Sequence, residues 1–294
     1  MSVVARLLNF GLRRIEKPYL ARVKDPAEVR RGFDTKARLF FGPRRAWRLT
    51  PLRLGDIAAL EIEPSEAAPE RILFYVHGGA YVFGSSVSHA GLAGALALRL
   101  GCAAVVPDYR LAPEHPFPAA LQDMLTAWRT VAADGSTMIL AGDSAGGGLA
   151  LALWAALGPE DRLPAAVVLF SPLTDLAFTG LSVATNRDAD PLLPAQRAHE
   201  LADMYLAGLD ARDPGASPLF GAPGRGARVI LCVDDTEILR DDGLRMVDVL
   251  RAHGTRVDLI RTRGLPHVWP FFWRYLPEAR ATLDAIAARL KRVP

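Results

Sequence analysis

A serine stands between two glycines at the end of a short apolar run, in Gly142-Asp143-Ser144-Ala145-Gly146. A stretch rich in alanine and leucine, with helical spacing, follows at once. The pattern Gly-x-Ser-x-Gly predicts a sharp turn between a strand and a helix, where small neighbours are needed because the two elements nearly collide. The pentapeptide alone is common, so the inference depends on its flanks. Ser144 is therefore predicted to be a nucleophile at the carboxyl end of a strand.

A serine hydroxyl is a weak nucleophile at neutral pH, and it needs a histidine base and an acid that orients the histidine. The chain has six histidines: His77, His89, His115, His199, His253 and His267. His267 follows the last predicted strand, where the order serine, acid, histidine of this architecture places the base. The acid is expected in the loop after residues 228–233, which carries Asp234, Asp235, Glu237, Asp241 and Asp242. Spacing alone does not choose among these five.

Acyl transfer also needs preorganised N–H donors where the oxyanion forms. Gly78 and Gly79 directly follow a predicted strand at 71–76, and glycines allow a loop to turn its amides inward. The N–H of Ala145 would complete this oxyanion hole. The alternative is an ordinary tight turn in which His77 only bonds to its neighbours.

An alternating α/β chain is predicted to position these residues. Strands are expected at 47–54, 57–63, 71–76, 102–106, 137–141, 165–170, 228–233 and 256–261. Helices are expected at 1–17, 27–40, 89–100, 119–133, 145–157, 195–209, 241–253 and 277–292. The first two strands form an antiparallel edge hairpin, a polar loop covers 64–70, and the later alternation is typical of a parallel sheet with right-handed crossovers.

Length and composition favour one large α/β domain with elaborations over two small domains. Half of the 294 residues are hydrophobic and 23% are charged, which is globular composition. The net charge of +3 is spread along the chain and predicts no nucleic-acid partner. Cys102 and Cys232 lie in apolar runs, so we expect reduced core thiols, no metal site and a cytoplasmic location.

The first 17 residues mix apolar side chains with Arg6, Arg13 and Arg14, which predicts an amphipathic helix and not a signal peptide. We expect its apolar stripe to pack on the body of the protein. The alternative is contact with a membrane surface. Because the chain has no apolar stretch of about 20 residues, no stable membrane insertion is expected.

Three motifs, in this order and spacing, resemble the hormone-sensitive lipase family of esterases (bacterial family IV). They are His-Gly-Gly-Ala at 77–80, Asp-Tyr-Arg-Leu-Ala-Pro-Glu-His-Pro at 108–116, and Gly-Asp-Ser-Ala-Gly-Gly at 142–147. The resemblance runs from about Arg45 to the carboxyl end. It implies an α/β-hydrolase fold, with a mostly parallel central sheet, helices on both faces and a helical cap. It also implies carboxylester hydrolysis without a cofactor, and it suggests a homodimer.

The same resemblance divides the chain. It implies an N-terminal helical cap segment at 1–44, a first part of the hydrolase core at 45–171, a cap insertion at 172–217 and a second part of the core at 218–294. The 108–116 motif, with its Arg/Glu pair, is expected to be a rigid loop that supports the elbow. His77 and Asp143 are expected to support the site without touching the reacting atoms.

Two departures from the family pattern matter. Ala80 stands where the family usually has a third glycine, which is a mild change because alanine still supplies an N–H. The usual acid motif is Asp-x-Leu-x-Asp-(Asp/Glu)-Gly. Placing Asp241-Asp242-Gly243 in register puts Glu237 on the acid position, and Asp235 is the alternative acid.

The sequence thus predicts a serine carboxylester hydrolase with a catalytic triad of Ser144, His267 and Glu237. It would act on short- to medium-chain acyl esters through an acyl-enzyme, with the oxyanion bound by Gly78, Gly79 and Ala145. The alternative is a catalytically inactive, small-molecule-binding member of the same fold. A cluster of aromatic residues after the histidine either lines the acyl site or belongs to the core: Trp269, Phe271, Phe272 and Trp273.

Overall fold

The computed structural model describes residues 1–64 and 70–291, in which eight strands form a single sheet. The strands are β1 (Arg48–Leu54), β2 (Ile57–Glu63), β3 (Arg71–Val76), β4 (Ala103–Pro107), β5 (Thr137–Asp143), β6 (Ala166–Phe170), β7 (Arg228–Asp234) and β8 (Val257–Thr262). Their order is β1-β2-β4-β3-β5-β6-β7-β8. The β1–β2 and β2–β4 pairs are antiparallel and the other pairs are parallel, which confirms the predicted edge hairpin. Most of the loop predicted at 64–70 lies outside the described residues.

The helices lie close to their predicted positions. They are α1 (Val3–Gly11), α2 (Lys17–Arg22), α3 (Pro26–Lys36), α4 (Ser86–Leu100), α5 (Ala119–Ala132), α6 (Ser144–Ala156), α7 (Ser182–Thr185), α8 (Ala198–Leu206), α9 (Arg240–Ala252) and α10 (Pro277–Leu290). Helix α4 begins earlier than predicted because Ser85 and Ser88 form a reciprocal capping box at its start. The last residue of the helix predicted at 277–292 lies outside the described residues.

The sheet separates two apolar cores, because successive side chains of a strand point to opposite faces. On β3, Phe74 and Val76 belong to the core under α5, α6 and α9, which also holds Trp128. Leu73 and Tyr75 belong to the core under α4 and α10. All five side chains are fully buried, as is typical of a parallel sheet covered on both faces.

Helix α1 packs on the body with one side only. Ala5 is fully buried and Leu8 packs against the core, as expected for the apolar stripe. Val3, Leu7 and Phe10, however, are 60%, 68% and 62% exposed. The prediction that the apolar stripe packs on the protein is therefore wrong for this second stripe, because the helix carries apolar residues on two opposite faces.

Helix α3 fastens the loop after β3 to the 108–116 motif. The guanidinium of Arg30 donates to the Val82 carbonyl oxygen at 2.7 Å, to the Ala112 carbonyl oxygen at 2.8 Å and to the Glu114 carboxylate. Arg110 pairs instead with Asp123 of α5. The prediction of a loop pinned by charge is confirmed, but the two charged residues have separate partners and do not pair with each other.

Candidate active site

Ser144 occupies a strained turn between β5 and α6. Its φ of +52° is in the left-handed region, which a residue with a side chain adopts only when its surroundings impose it. A Cβ on Gly142 would lie 2.4 Å from the Gly146 carbonyl oxygen, and a Cβ on Gly146 would lie 2.3 Å from the His77 carbonyl oxygen. The elbow therefore requires both glycines, and it leaves Ser144 partly exposed at the carboxyl edge of the sheet.

Gly146→Ala is expected to destabilise the protein by about 3 kcal/mol or more, because the clash is with fixed backbone. Gly11→Ala is the matched control, since nothing lies within 4 Å of its Cβ and its φ is −61°. That change should stabilise the protein by about 0.5–1 kcal/mol. Denaturant unfolding measures both, and equal effects would contradict the steric account of the elbow.

His267 and Glu237 lie in contact in the interior. The His267 Nδ1–H donates to Glu237 Oε2 at 3.0 Å, and both side chains are buried. In the described part of the chain, His267 Nε2 is buried without a hydrogen-bond partner. This nitrogen can accept a proton, because the ring hydrogen is on Nδ1, where it is donated to the Glu237 carboxylate.

The carboxylate controls the basicity of the ring. Burial alone would lower the pKa of His267, but the hydrogen bond and negative charge of Glu237 outweigh burial and hold that pKa above its usual value. The charge of Asp190, which is also buried, acts in the same direction. The imidazole is therefore a stronger base than a free histidine, and it is neutral only at pH above its raised pKa.

The other acidic residues of this region have other partners. Asp234 accepts hydrogen bonds from the N–H groups of Thr236, Gly264 and Leu265, at 2.9 Å each. Gly264 and Leu265 precede His267 in the same loop. Asp234 therefore fixes the loop after β8 against the loop after β7, which sets the distance between acid and base.

Asp235 pairs with Arg261 of β8. Asp241 accepts from the Ser182 N–H, and Asp242 accepts from the Thr174 and Asp175 N–H groups in the loop after β6. Among the five candidate acids, all of them within the described residues, Glu237 is the one whose carboxylate reaches His267. The geometry thus favours the position that the family register indicates.

Ser171, which sequence reasoning missed, connects acid and base. Its hydroxyl donates to Glu237 Oε1 at 2.7 Å and accepts from the Val268 N–H at 3.3 Å. The residue directly follows β6 at the carboxyl edge and is fully buried, with φ of +46°. The signal available was a polar residue at the end of a central parallel strand, next to the end of β5.

Asn186 and Asp190, which lie in the segment predicted to be a cap insertion, hydrogen-bond to the loop that carries Glu237. Asn186 Nδ2 donates to the carbonyl oxygens of Asp235 and Glu237, at 3.0 and 2.7 Å. The Ile238 N–H donates to Asp190 Oδ2 at 3.0 Å. These bonds fix the backbone on both sides of the Glu237 side chain, so the carboxylate is held against His267.

The loop after β3 faces the elbow, but the N–H of Gly78 already donates a hydrogen bond within the protein. It donates to Asp143 Oδ1 at 3.1 Å, and the same oxygen accepts from the Tyr75 hydroxyl at 2.8 Å. A Cβ at position 78 would lie 2.2 Å from Asp143 Oδ2, which explains this glycine. Gly78 therefore supports the loop, in contrast to the expectation that it is an oxyanion donor.

Two histidines support this region. His77 stacks on Tyr109 with ring centroids 4.2 Å apart, and burial, with the neighbouring His89, lowers the pKa of His77 to about 3. His77 is therefore neutral, and it donates from Nδ1 to the Gly78 carbonyl oxygen at 2.9 Å. His89 Nε2 lies 3.5 Å from Asp143 Oδ2, a contact that sequence reasoning did not anticipate.

The aromatic cluster after His267 belongs to the core. Phe271 and Phe272 pack edge-on against Phe41, with centroids 4.8 and 5.3 Å apart, and Trp273 stacks on Trp47 at 6.0 Å. These contacts join the N-terminal segment to the His267 loop. Of the two alternatives, the core role is the one that the contacts support.

The profile of the alpha/beta hydrolase fold family matches residues 73–271. The chain belongs to this family. This α/β-hydrolase is of the hormone-sensitive lipase-like type: the crystal structure of an esterase from the bacterial hormone-sensitive lipase family matches it with a TM-score of 0.93 and 32% identity, over 100% of this chain and 99% of that chain. Both the predicted family resemblance and the predicted fold are confirmed.

Two further relatives extend the comparison. The α/β-hydrolase is 38% identical over 225 residues to an acetyl-hydrolase of Streptomyces hygroscopicus, which covers 75% of each chain. It also matches the crystal structure of EstE5 soaked with p-nitrophenyl butyrate, with a TM-score of 0.93 and 29% identity over 99% of this chain and 98% of that chain. The chain is accordingly an enzyme of the esterase class.

Proposed function

We propose that this enzyme hydrolyses short- to medium-chain carboxylic esters with a triad of Ser144, His267 and Glu237. The observation that carries the proposal is the His267–Glu237 contact at 3.0 Å, which leaves His267 Nε2 without a partner among the described residues. The contact lies at the same edge of the sheet as the strained elbow of Ser144.

The reaction proceeds in two displacements. His267 Nε2 takes the Ser144 hydroxyl proton as the oxygen attacks the ester carbonyl, and the imidazolium then gives this proton to the leaving alcohol. Water, deprotonated by the same nitrogen, then attacks the acyl carbonyl carbon. The bond from this carbon to Ser144 Oγ breaks, the imidazolium returns its proton to Oγ, and the acid is released. Glu237 keeps the hydrogen on Nδ1 and stabilises the imidazolium in both steps.

The oxyanion is bound by backbone amides. Ala145 lies in the first turn of α6, where N–H groups have no partner within the helix. The N–H groups of Gly79 and Ala80 supply the other donors, because that of Gly78 is engaged by Asp143. The revised set is supported by the positive φ values of Gly79 and Ala80, +125° and +53°, which mark a sharply turned loop beside the elbow.

The substrate class comes from relatives. An acetyl-hydrolase and an esterase soaked with p-nitrophenyl butyrate point to small acyl groups of two to four carbons. We therefore expect p-nitrophenyl acetate and butyrate to be turned over at about 1–10³ s⁻¹, the usual range for enzymes, and p-nitrophenyl palmitate to be a poorer substrate.

The test is turnover of this ester series together with labelling by a serine-reactive phosphonate. The proposal requires one phosphonate per chain, attached to Ser144 in a mass-spectrometric peptide map, and loss of turnover in proportion to labelling. A folded wild-type protein that neither turns over these esters nor takes the label would support the alternative, an inactive small-molecule-binding member of the fold.

A further inference from the structure

The first helix carries an unpartnered apolar face. The outer stripe, defined as Val3, Leu7 and Phe10, follows the i, i+4, i+7 spacing of one helix face and is at least 60% exposed at each position. Six of the thirteen exposed large apolar side chains in the described part of the chain lie within its first fifteen residues. Apolar exposure concentrated in this way marks an interaction surface.

The charged residues of the segment itself have one sign, although the Glu278 carboxylate contacts Ser2 at its start. Residues 1–15 contain three arginines and no acidic residue. Arg6 of α1 is exposed, and so is Arg14 in the π-helical turn Leu12–Glu16 that continues α1. The guanidinium carbon of Arg14 is 5.2 Å from the Phe10 ring centroid. An exposed apolar stripe bordered by arginines is complementary to a lipid layer in which apolar acyl chains lie beneath anionic headgroups.

We propose that the outer stripe of α1 docks on a membrane surface that contains anionic lipids. The contact is peripheral: among the described residues, no helix has the length and apolar character that a membrane span requires. A second copy of the chain fits the stripe less well, because a symmetric contact would bring the arginines of two helices together.

Docking needs no rearrangement, since the opposite side of the segment is fastened to the catalytic half of the molecule. Asn9 Nδ2 donates to the Gly264 carbonyl oxygen at 2.7 Å, three residues before His267. Lys17 Nζ donates to the Asp190 carbonyl oxygen at 2.7 Å. A docked α1 therefore holds the His267 loop near the lipid surface.

The test is flotation of the full chain with vesicles of phosphatidylcholine alone or mixed with phosphatidylglycerol. We expect flotation with the anionic vesicles, weakening in high salt, and little with phosphatidylcholine. Leu7→Glu with Phe10→Glu should weaken binding to anionic vesicles roughly tenfold or more, and so should Arg6→Gln with Arg14→Gln.

The matched control is Leu181→Glu with Leu209→Glu, which makes the same two changes at exposed apolar residues outside α1 and should bind like wild type. Ser144→Ala should also bind like wild type, so this test is independent of ester hydrolysis. The stripe, arginine and control-pair variants should turn over p-nitrophenyl acetate like wild type, which reports folding, and the melting temperature reports the folding of Ser144→Ala.

Three results would overturn the proposal. The wild type does not float with anionic vesicles, the Leu7/Phe10 variant floats as well as wild type, or the Leu181/Leu209 control variant loses as much flotation as the Leu7/Phe10 variant. A concentration-dependent dimer that the stripe variant abolishes, without vesicle binding, would assign the face to a second copy.

Discussion

Ser144→Ala is expected to lower kcat for p-nitrophenyl butyrate by about 10⁴- to 10⁶-fold, the range found when a triad serine is removed. Without the hydroxyl no acyl-enzyme forms, and His267 has only water to activate. The variant keeps its Cβ, so the strained elbow with φ of +52° is retained. Steady-state kinetics measures the loss, and an unchanged melting temperature assigns it to chemistry.

The control is a second serine of the same site. Ser171→Ala removes a hydroxyl that hydrogen-bonds Glu237 and does not touch the nucleophile in any described contact. A hydrogen bond to a charged group contributes about 1.5–3 kcal/mol, so this change should cost at most about 100-fold. Comparable losses in the two variants would argue against Ser144 as the nucleophile.

Glu237→Gln is the second large effect, and kcat should fall by about 10⁴-fold, as for the amide replacement of a triad aspartate. The amide N–H₂ donates to Nδ1 and so favours the tautomer with hydrogen on Nε2, which cannot accept the serine proton. Asp235→Asn is the matched control, because Asp235 pairs with Arg261 at the surface and should leave kcat nearly unchanged. The reverse ranking would transfer the acid role to Asp235.

The pH profile tests the same pair. Because Glu237 raises the pKa of His267, the base is protonated below that pKa, and kcat/KM should rise with pH through a value above the ordinary imidazole pKa. Removing the negative charge lowers the pKa of the imidazole, so in Glu237→Gln the acidic limb should move to lower pH. A limb that stays in place would show that another group controls it.

The positions of the strands along the chain and the elbow at Ser144 could be predicted before any coordinates. The elbow is a local pattern: Gly142 and Gly146 are needed because backbone atoms lie where their side chains would be. The central strands β3 to β7 are apolar on both faces, which is a property of their own composition. Even the edge of the sheet that carries the site follows from the direction of parallel strands.

Other assignments depended on long-range contacts. Spacing limited the candidate acids to one loop, and a family register favoured Glu237. Only the tertiary contacts show that Glu237 meets His267, that Asn186 holds the Glu237 backbone and that Asp235 pairs with Arg261. The same is true of Gly78, whose N–H is engaged by a carboxylate 65 positions away along the chain.

What the sequence by itself determined is therefore the α/β-hydrolase fold and the placement of Ser144 and His267 in loops at the carboxyl edge of the sheet, because these follow from local sterics and from the order of elements along the chain. The tertiary structure decided which carboxylate meets the histidine, which amide is already used and which face of α1 remains exposed. Each of those depends on a partner brought in from a distant loop, and neither spacing nor periodicity encodes where such a side chain points.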